Sequence, residues 1–115
     1  MEERRKLDRT RASLTREFWV GGMQCFATIG FYPDGTIGEL FAKIAKEGST
    51  LSGFLRAFST LFSISLQHGA PLSTCLDKIR GTRFEPNGWT DIGEVTSVLD
   101  YIARWIEEVD GRRQK

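Results

Sequence analysis

The chain has 115 residues, 40% of them hydrophobic, with 16 Lys and Arg set against 15 Asp and Glu. That length predicts one domain with one modest core. The balanced charge gives no reason to expect nucleic acid or a membrane surface as a partner, and no apolar run approaches the roughly 20 residues that span a bilayer.

Residues 1–13 are rich in Arg and Lys and almost devoid of apolar side chains. They read as a flexible charged arm. A signal peptide needs an apolar centre, which this segment lacks, so a cytoplasmic protein is expected. The single domain is expected over residues 14–109, with 110–115 as a disordered tail.

"REFWVGG" is a short aromatic and β-branched run that ends in a Gly pair, a strand followed by a turn. "QCFATIGFY" places Cys25, Ala27, Ile29 and Phe31 on one face and Phe26, Thr28 and Tyr32 on the other. "PDG" at 33–35 is a turn, because Pro presets φ, Asp bonds the turn backbone and Gly tolerates positive φ. "TIGELFAKIA" is a third strand. From Thr50 the period becomes helical: Leu51, Phe54, Leu55, Phe58, Leu61 and Phe62 recur at steps of three and four. The opposite face, Ser52, Arg56, Ser59, Thr60, Ser63 and Gln67, is polar with one charge. A solvent-facing helix normally carries more charge, so close approach of another helix is expected, from this chain or a second subunit. A homo-oligomer follows from that reading.

Gly69 and Pro71 end the first helix. "APLSTCLDKIRG" is a second, shorter one, opened by Pro71 or capped by Ser73. "TRFEPNGWTD" is a loop, and a last helix is expected from about Asp91 to Val109. The predicted fold class is α+β: an antiparallel three-stranded β-meander followed by three helices packed on one face.

Cys25 and Cys75 are 50 positions apart and fit neither a zinc spacing nor a redox pair. With His68 as the one histidine, no metal site is expected, and no cofactor within this chain. His68, at the end of the first helix, is expected to act in capping. Two places could hold chemistry. Gly48, Ser49 and Thr50 precede the first helical turn, whose amides lack partners, and Lys46 adds charge. This turn is either an anion site or an ordinary N-cap. The loop carries Arg83 and Trp89, suited to a phosphate and a base, or else to local pairing and anchoring.

"EGSTLSG", "SLQHGAPL", "TRFEPNGWT" and "DYIARW", in this order, resemble the C-terminal domain of cobalamin-dependent (class II) ribonucleotide reductases, a module of the TSCPD domain family. The resemblance runs through nearly the whole chain. It departs from the family motif Thr-Ser-Cys-Pro-Asp, which aligns with "TSVLD", Thr96 to Asp100. Phe84 stands where many relatives carry a further cysteine, so thiol or metal chemistry is not carried over. The resemblance implies a non-catalytic accessory module acting with a separate ribonucleotide reductase catalytic chain, since 115 residues leave no room for the catalytic barrel. The alternative is a free-standing protein that captures a nucleotide or related phosphate ligand. For such a ligand the expected contacts are Lys46, Gly48, Ser49, Thr50, Arg83 and Trp89.

Overall fold

Alternation along the strands decides the sheet. Phe18 and Val20, then Cys25, Ala27, Ile29 and Phe31, then Leu40, Ala42 and Ile44 are buried, while Trp19 and Phe41 between them are exposed. The computed structural model describes residues 3–113. In it β1 (Ser13–Val20), β2 (Met23–Phe31) and β3 (Ile37–Ile44) form an antiparallel sheet in the order β1-β2-β3. Gly21 and Gly22, with φ of 57° and 79°, turn β1 into β2. At the next turn the Asp34 carboxylate accepts from the Thr36 amide at 2.9 Å.

Helix α1 (Thr50–Gln67), helix α2 (Leu72–Ile79), a hairpin of β4 (Gly88–Thr90) and β5 (Gly93–Val95), and helix α3 (Val98–Arg113) follow. The fold is α+β, as its sequence predicts. α3 supplies the core's second layer: Val98, Tyr101, Ile102 and Ile106 are buried with the inner face of the sheet. The Phe18 and Tyr101 rings stack with centroids 3.9 Å apart. Tyr101 donates to Asp91 at 2.8 Å and accepts from Arg16 Nε at 3.2 Å, and burial pushes its phenol up to about 12.

Two elements differ from expectation. The polar face of α1 meets a strand at Ser59, Ser63 and Gln67, not a helix. Ser63 Oγ accepts from the Leu40 amide at 2.9 Å and donates to the Leu40 carbonyl at 3.0 Å. Ser59 Oγ accepts from the Ala42 amide at 3.0 Å, and Gln67 Nε2 donates to the Gly38 carbonyl at 3.0 Å. The two periods explain the fit. Four helical residues rise about 6 Å, and two strand residues about 6.8 Å. Positions 59, 63 and 67 therefore meet 42, 40 and 38 in antiparallel order. The hydroxyl stripe satisfies the free edge of β3, so it is no ground for a dimer.

The last helix begins at Val98 and not near Asp91. Gly93 has φ of 109°, Thr90 Oγ1 donates to the Gly93 carbonyl at 2.7 Å, and the segment folds back as the β4–β5 hairpin. Ser97 then caps α3, accepting from the Asp100 amide at 3.1 Å. At its other end α3 continues through Asp110 to Arg113, into the segment expected as a disordered tail; residues 114 and 115 lie outside the described residues.

The charged arm lacks regular structure but is tied to the domain over residues 4–11. Arg4 Nε donates to Gln67 Oε1 at 2.6 Å, the Arg5 amide to the Gln67 carbonyl at 2.7 Å, and Tyr32 Oη to the Arg5 carbonyl at 2.5 Å. Arg11 forms a two-pronged pair with the buried Glu39. Residues 1 and 2 of the expected arm lie outside the described residues. Glu39 lies over Gly30, where an added Cβ would stand 2.7 Å from Glu39 Cγ. Gly30→Ala should displace Glu39, break the Arg11 pair and cost about 1–3 kcal/mol. Faster tryptic cleavage of the arm and a lower melting temperature would show it.

Candidate functional site

The outer face of the sheet is open. By register, Thr15, Phe26, Thr28, Phe41 and Lys43 share it, on the side away from α3. The first turns of α1 rise beside it and make one wall of a groove of about 950 Å³. Phe26, Phe41 and Lys43 line the sheet side; Gly48, Ser52 and Arg56 line the helix side. Phe41 is 55% exposed and lies in the groove lining with Phe26, so the floor presents two aromatic side chains together. Lys43 Nζ lies 5.6 Å from the Phe26 ring centroid, within range of a cation–π contact. Thr15 and Thr28, opposite each other in register, bond through their hydroxyls at 2.8 Å. Two cations, Lys43 and Arg56, face one lining carboxylate, Glu47. Neither cation forms an ion pair among the described residues.

Of the residues singled out in the sequence, Gly48 lines this groove. Ser49 is the N-cap of α1: its Oγ accepts from the Ser52 amide at 3.1 Å and donates to the Lys46 carbonyl at 3.0 Å. Lys46 and Thr50 are exposed at the same turn and outside the lining. Arg83 and Trp89 stand elsewhere, Trp89 on the hairpin that lies beside β1. Trp89 is 78% exposed, so it does not anchor the loop; Phe84 is the loop residue packed on the core. His68 sits at the C-cap of α1, its amide bonded to the Ile64 carbonyl at 3.0 Å. Sequence reasoning missed Phe26, Phe41 and Lys43 as site residues because they look like ordinary strand alternation. Arg56 had one signal, as the lone charge on its face.

A second polar cluster is structural. Asp100 is buried; its Oδ1 accepts from the Gly81 amide at 2.7 Å and its Oδ2 from the Thr96 amide at 3.0 Å. Arg104 lies 3.2 Å from Oδ2. Burial pushes this carboxyl up, but the Thr96 and Gly81 amides and the Arg104 charge outweigh it and hold the group below its ordinary value. Thr96 Oγ1 donates to the Thr82 carbonyl at 2.8 Å, and the Phe84 amide to the Thr96 carbonyl at 3.1 Å. The segment Thr96–Asp100 thus joins the 81–84 loop to the start of α3.

Among the described residues no group of three His, Cys, Asp or Glu side chains is placed to hold a metal, and no helix is long and apolar enough to cross a membrane. No solved structure matches the chain. Among curated proteins it is 47% identical over 106 residues to the vitamin B12-dependent ribonucleotide reductase of Rhodopirellula baltica, covering 90% of this chain and 10% of that one. It is 44% identical over 104 residues to the enzyme of the same description from Streptomyces avermitilis, covering 88% and 11%. With that of Bradyrhizobium diazoefficiens it shares 39% over 108 residues, covering 90% and 9%. The chain thus spans about a tenth of the length of these relatives. The TSCPD domain matches residues 3–110, from the tied arm to the last turns of α3, and the chain belongs to the TSCPD domain family.

Proposed function

We propose that this domain is a non-catalytic accessory module of cobalamin-dependent ribonucleotide reduction, acting with a catalytic reductase chain. The observation that carries the reading is the 47% identity across 90% of the chain to one tenth of a vitamin B12-dependent ribonucleotide reductase. A segment that similar keeps the same fold. The thiols support a non-catalytic role. Burial raises both above their ordinary value, Cys25 to about 11, so neither is a ready thiolate at neutral pH. In this reading cobalamin and radical chemistry belong to the catalytic chain.

The test is complementation. A vitamin B12-dependent reductase lacking the segment matched here is assayed for ribonucleotide reduction with and without this chain added in trans. The expected outcome is no turnover by this chain alone, with cobalamin and a dithiol supplied, and a several-fold rise when it joins the truncated enzyme. Unchanged turnover together with no co-elution would overturn the reading, as would turnover by the chain alone.

A further inference from the structure

We propose that the groove between the outer sheet face and α1 is a binding site for a mononucleotide. The inference stands on the groove's own chemistry and is independent of the reductase partnership. A nucleotide needs a flat apolar platform for its base, hydroxyl partners for its sugar and cations for its phosphates. Here those occur together on one wall-and-floor arrangement. Phe41 and Phe26 offer ring faces or edges on the floor, with Thr28 beside them in the register of β2 and β3. Arg56 on the wall and Lys43 on the floor are the lining cations.

Packing does not account for Phe41 or Arg56. Phe41 belongs to the face of β3 that turns away from the core, and more than half of it meets water. Arg56 stands one helical turn before Ser59, which bonds the strand edge, and Thr60, which bonds the Arg56 carbonyl, and it has no carboxylate partner among the described residues. A guanidinium can take a phosphate with two bonds. Stacking on aromatic rings is sequence-tolerant, so the site discriminates by the presence of a base more than by its identity. The volume, about 950 Å³, falls in the range of small-ligand pockets. The chain's net charge of +1 and the Glu47 carboxylate in the lining disfavour a long polyanion, which needs an extended basic track. One nucleotide fits this charge; a nucleic-acid strand does not.

The experiment uses the full chain and four probes: ATP, adenosine, inorganic triphosphate and a ten-residue oligothymidylate. Calorimetry gives affinity, and amide NMR shifts give the place. Saturable ATP binding is expected, with shifts centred on residues 26–28, 41–43 and 52–60. Adenosine and triphosphate should each bind at least about tenfold more weakly than ATP. Arg56→Gln and Phe41→Ala should each weaken ATP about tenfold, with the melting temperature little changed because both side chains are exposed. Lys46→Ala, outside the lining, should alter affinity less than about twofold, the additivity expected of a residue that makes no contact. Absence of saturable ATP binding overturns the proposal. So does binding that ignores Arg56→Gln and Phe41→Ala, or that triphosphate matches, or that the oligonucleotide exceeds. The complementation assay can fail while these titrations succeed, and the reverse, so the two readings are tested separately.

Discussion

Asp100→Asn should lower folding stability by about 2–4 kcal/mol and the melting temperature by on the order of 10 °C. The carboxylate is buried and accepts from two backbone amides, Gly81 at 2.7 Å and Thr96 at 3.0 Å. An Asn side chain offers one acceptor oxygen and sets an NH2 donor against the second amide. One amide N–H is then left buried and opposed. The Arg104 pair adds less than the amides, because the Arg104 side chain is 42% exposed and screened by water. The damage should spread to the 81–84 loop, which hangs on this residue and on Thr96. The pH dependence has a definite sign. The folded carboxyl titrates below its ordinary value of 3.8, so its contribution is present above that value and is lost as pH falls through the lower, folded one. Wild type should therefore lose stability steeply on acidification below about pH 4, and Asp100→Asn less steeply. Asp34 and Asp91, also lowered, keep part of the slope. Equilibrium denaturation at several pH values checks both statements. Equal slopes in the two proteins would show that Asp100 carries no stabilising charge.

Much of this fold is legible in one dimension, and the exceptions have identifiable causes. Strand alternation survives translation into the sheet because the side-chain period is two wherever one face is buried. The α1 boundaries survive because Ser49 and Gly69 act locally, as cap and as positive-φ terminator, with φ of 98° at Gly69. The hairpin was hidden because Ile92, Val95 and Val98 imitate a helical stripe at steps of three. Two local signals contradict that stripe: "TDIG", a turn, and Ser97 three residues before Asp100, a capping pattern. The serine face of α1 is a different kind of failure. A small polar stripe can face a second helix or a strand edge, and the choice depends on how β3 is placed. The groove was hidden for the same reason. Its cations come from β3 and α1, and only the chain's return along β3 puts Arg56 across from Lys43. The "GST" turn was legible in part: Ser49 caps the helix, and Gly48 borders the groove.

Ser63→Ala should be the most damaging serine substitution in α1, costing about 2–4 kcal/mol, and it should change how the protein associates. Ser63 Oγ serves both the N–H and the C=O of Leu40, so its loss strands a donor and an acceptor at a buried site on the sheet edge. Ser65→Ala is the internal control. Its hydroxyl bonds only the Leu61 carbonyl of its own helix, at 2.8 Å, and it is exposed, so removal should stay within about 0.5 kcal/mol. Helix propensity favours Ala over Ser in both variants and cannot produce a difference between them. The association follows from what the hydroxyls replace. Among the described residues β3 has no strand neighbour beyond β2, and the Ser59, Ser63 and Gln67 side chains stand in for one. A poorly satisfied edge seeks a strand from another chain. Light scattering on Ser63→Ala at rising concentration should thus show more self-association than wild type or Ser65→Ala, with added β-sheet signal in circular dichroism. Equal stability of the two variants would mean that water reaches the β3 edge, and that α1 is held by the apolar contacts of Leu55 and Phe62 without help from its serines.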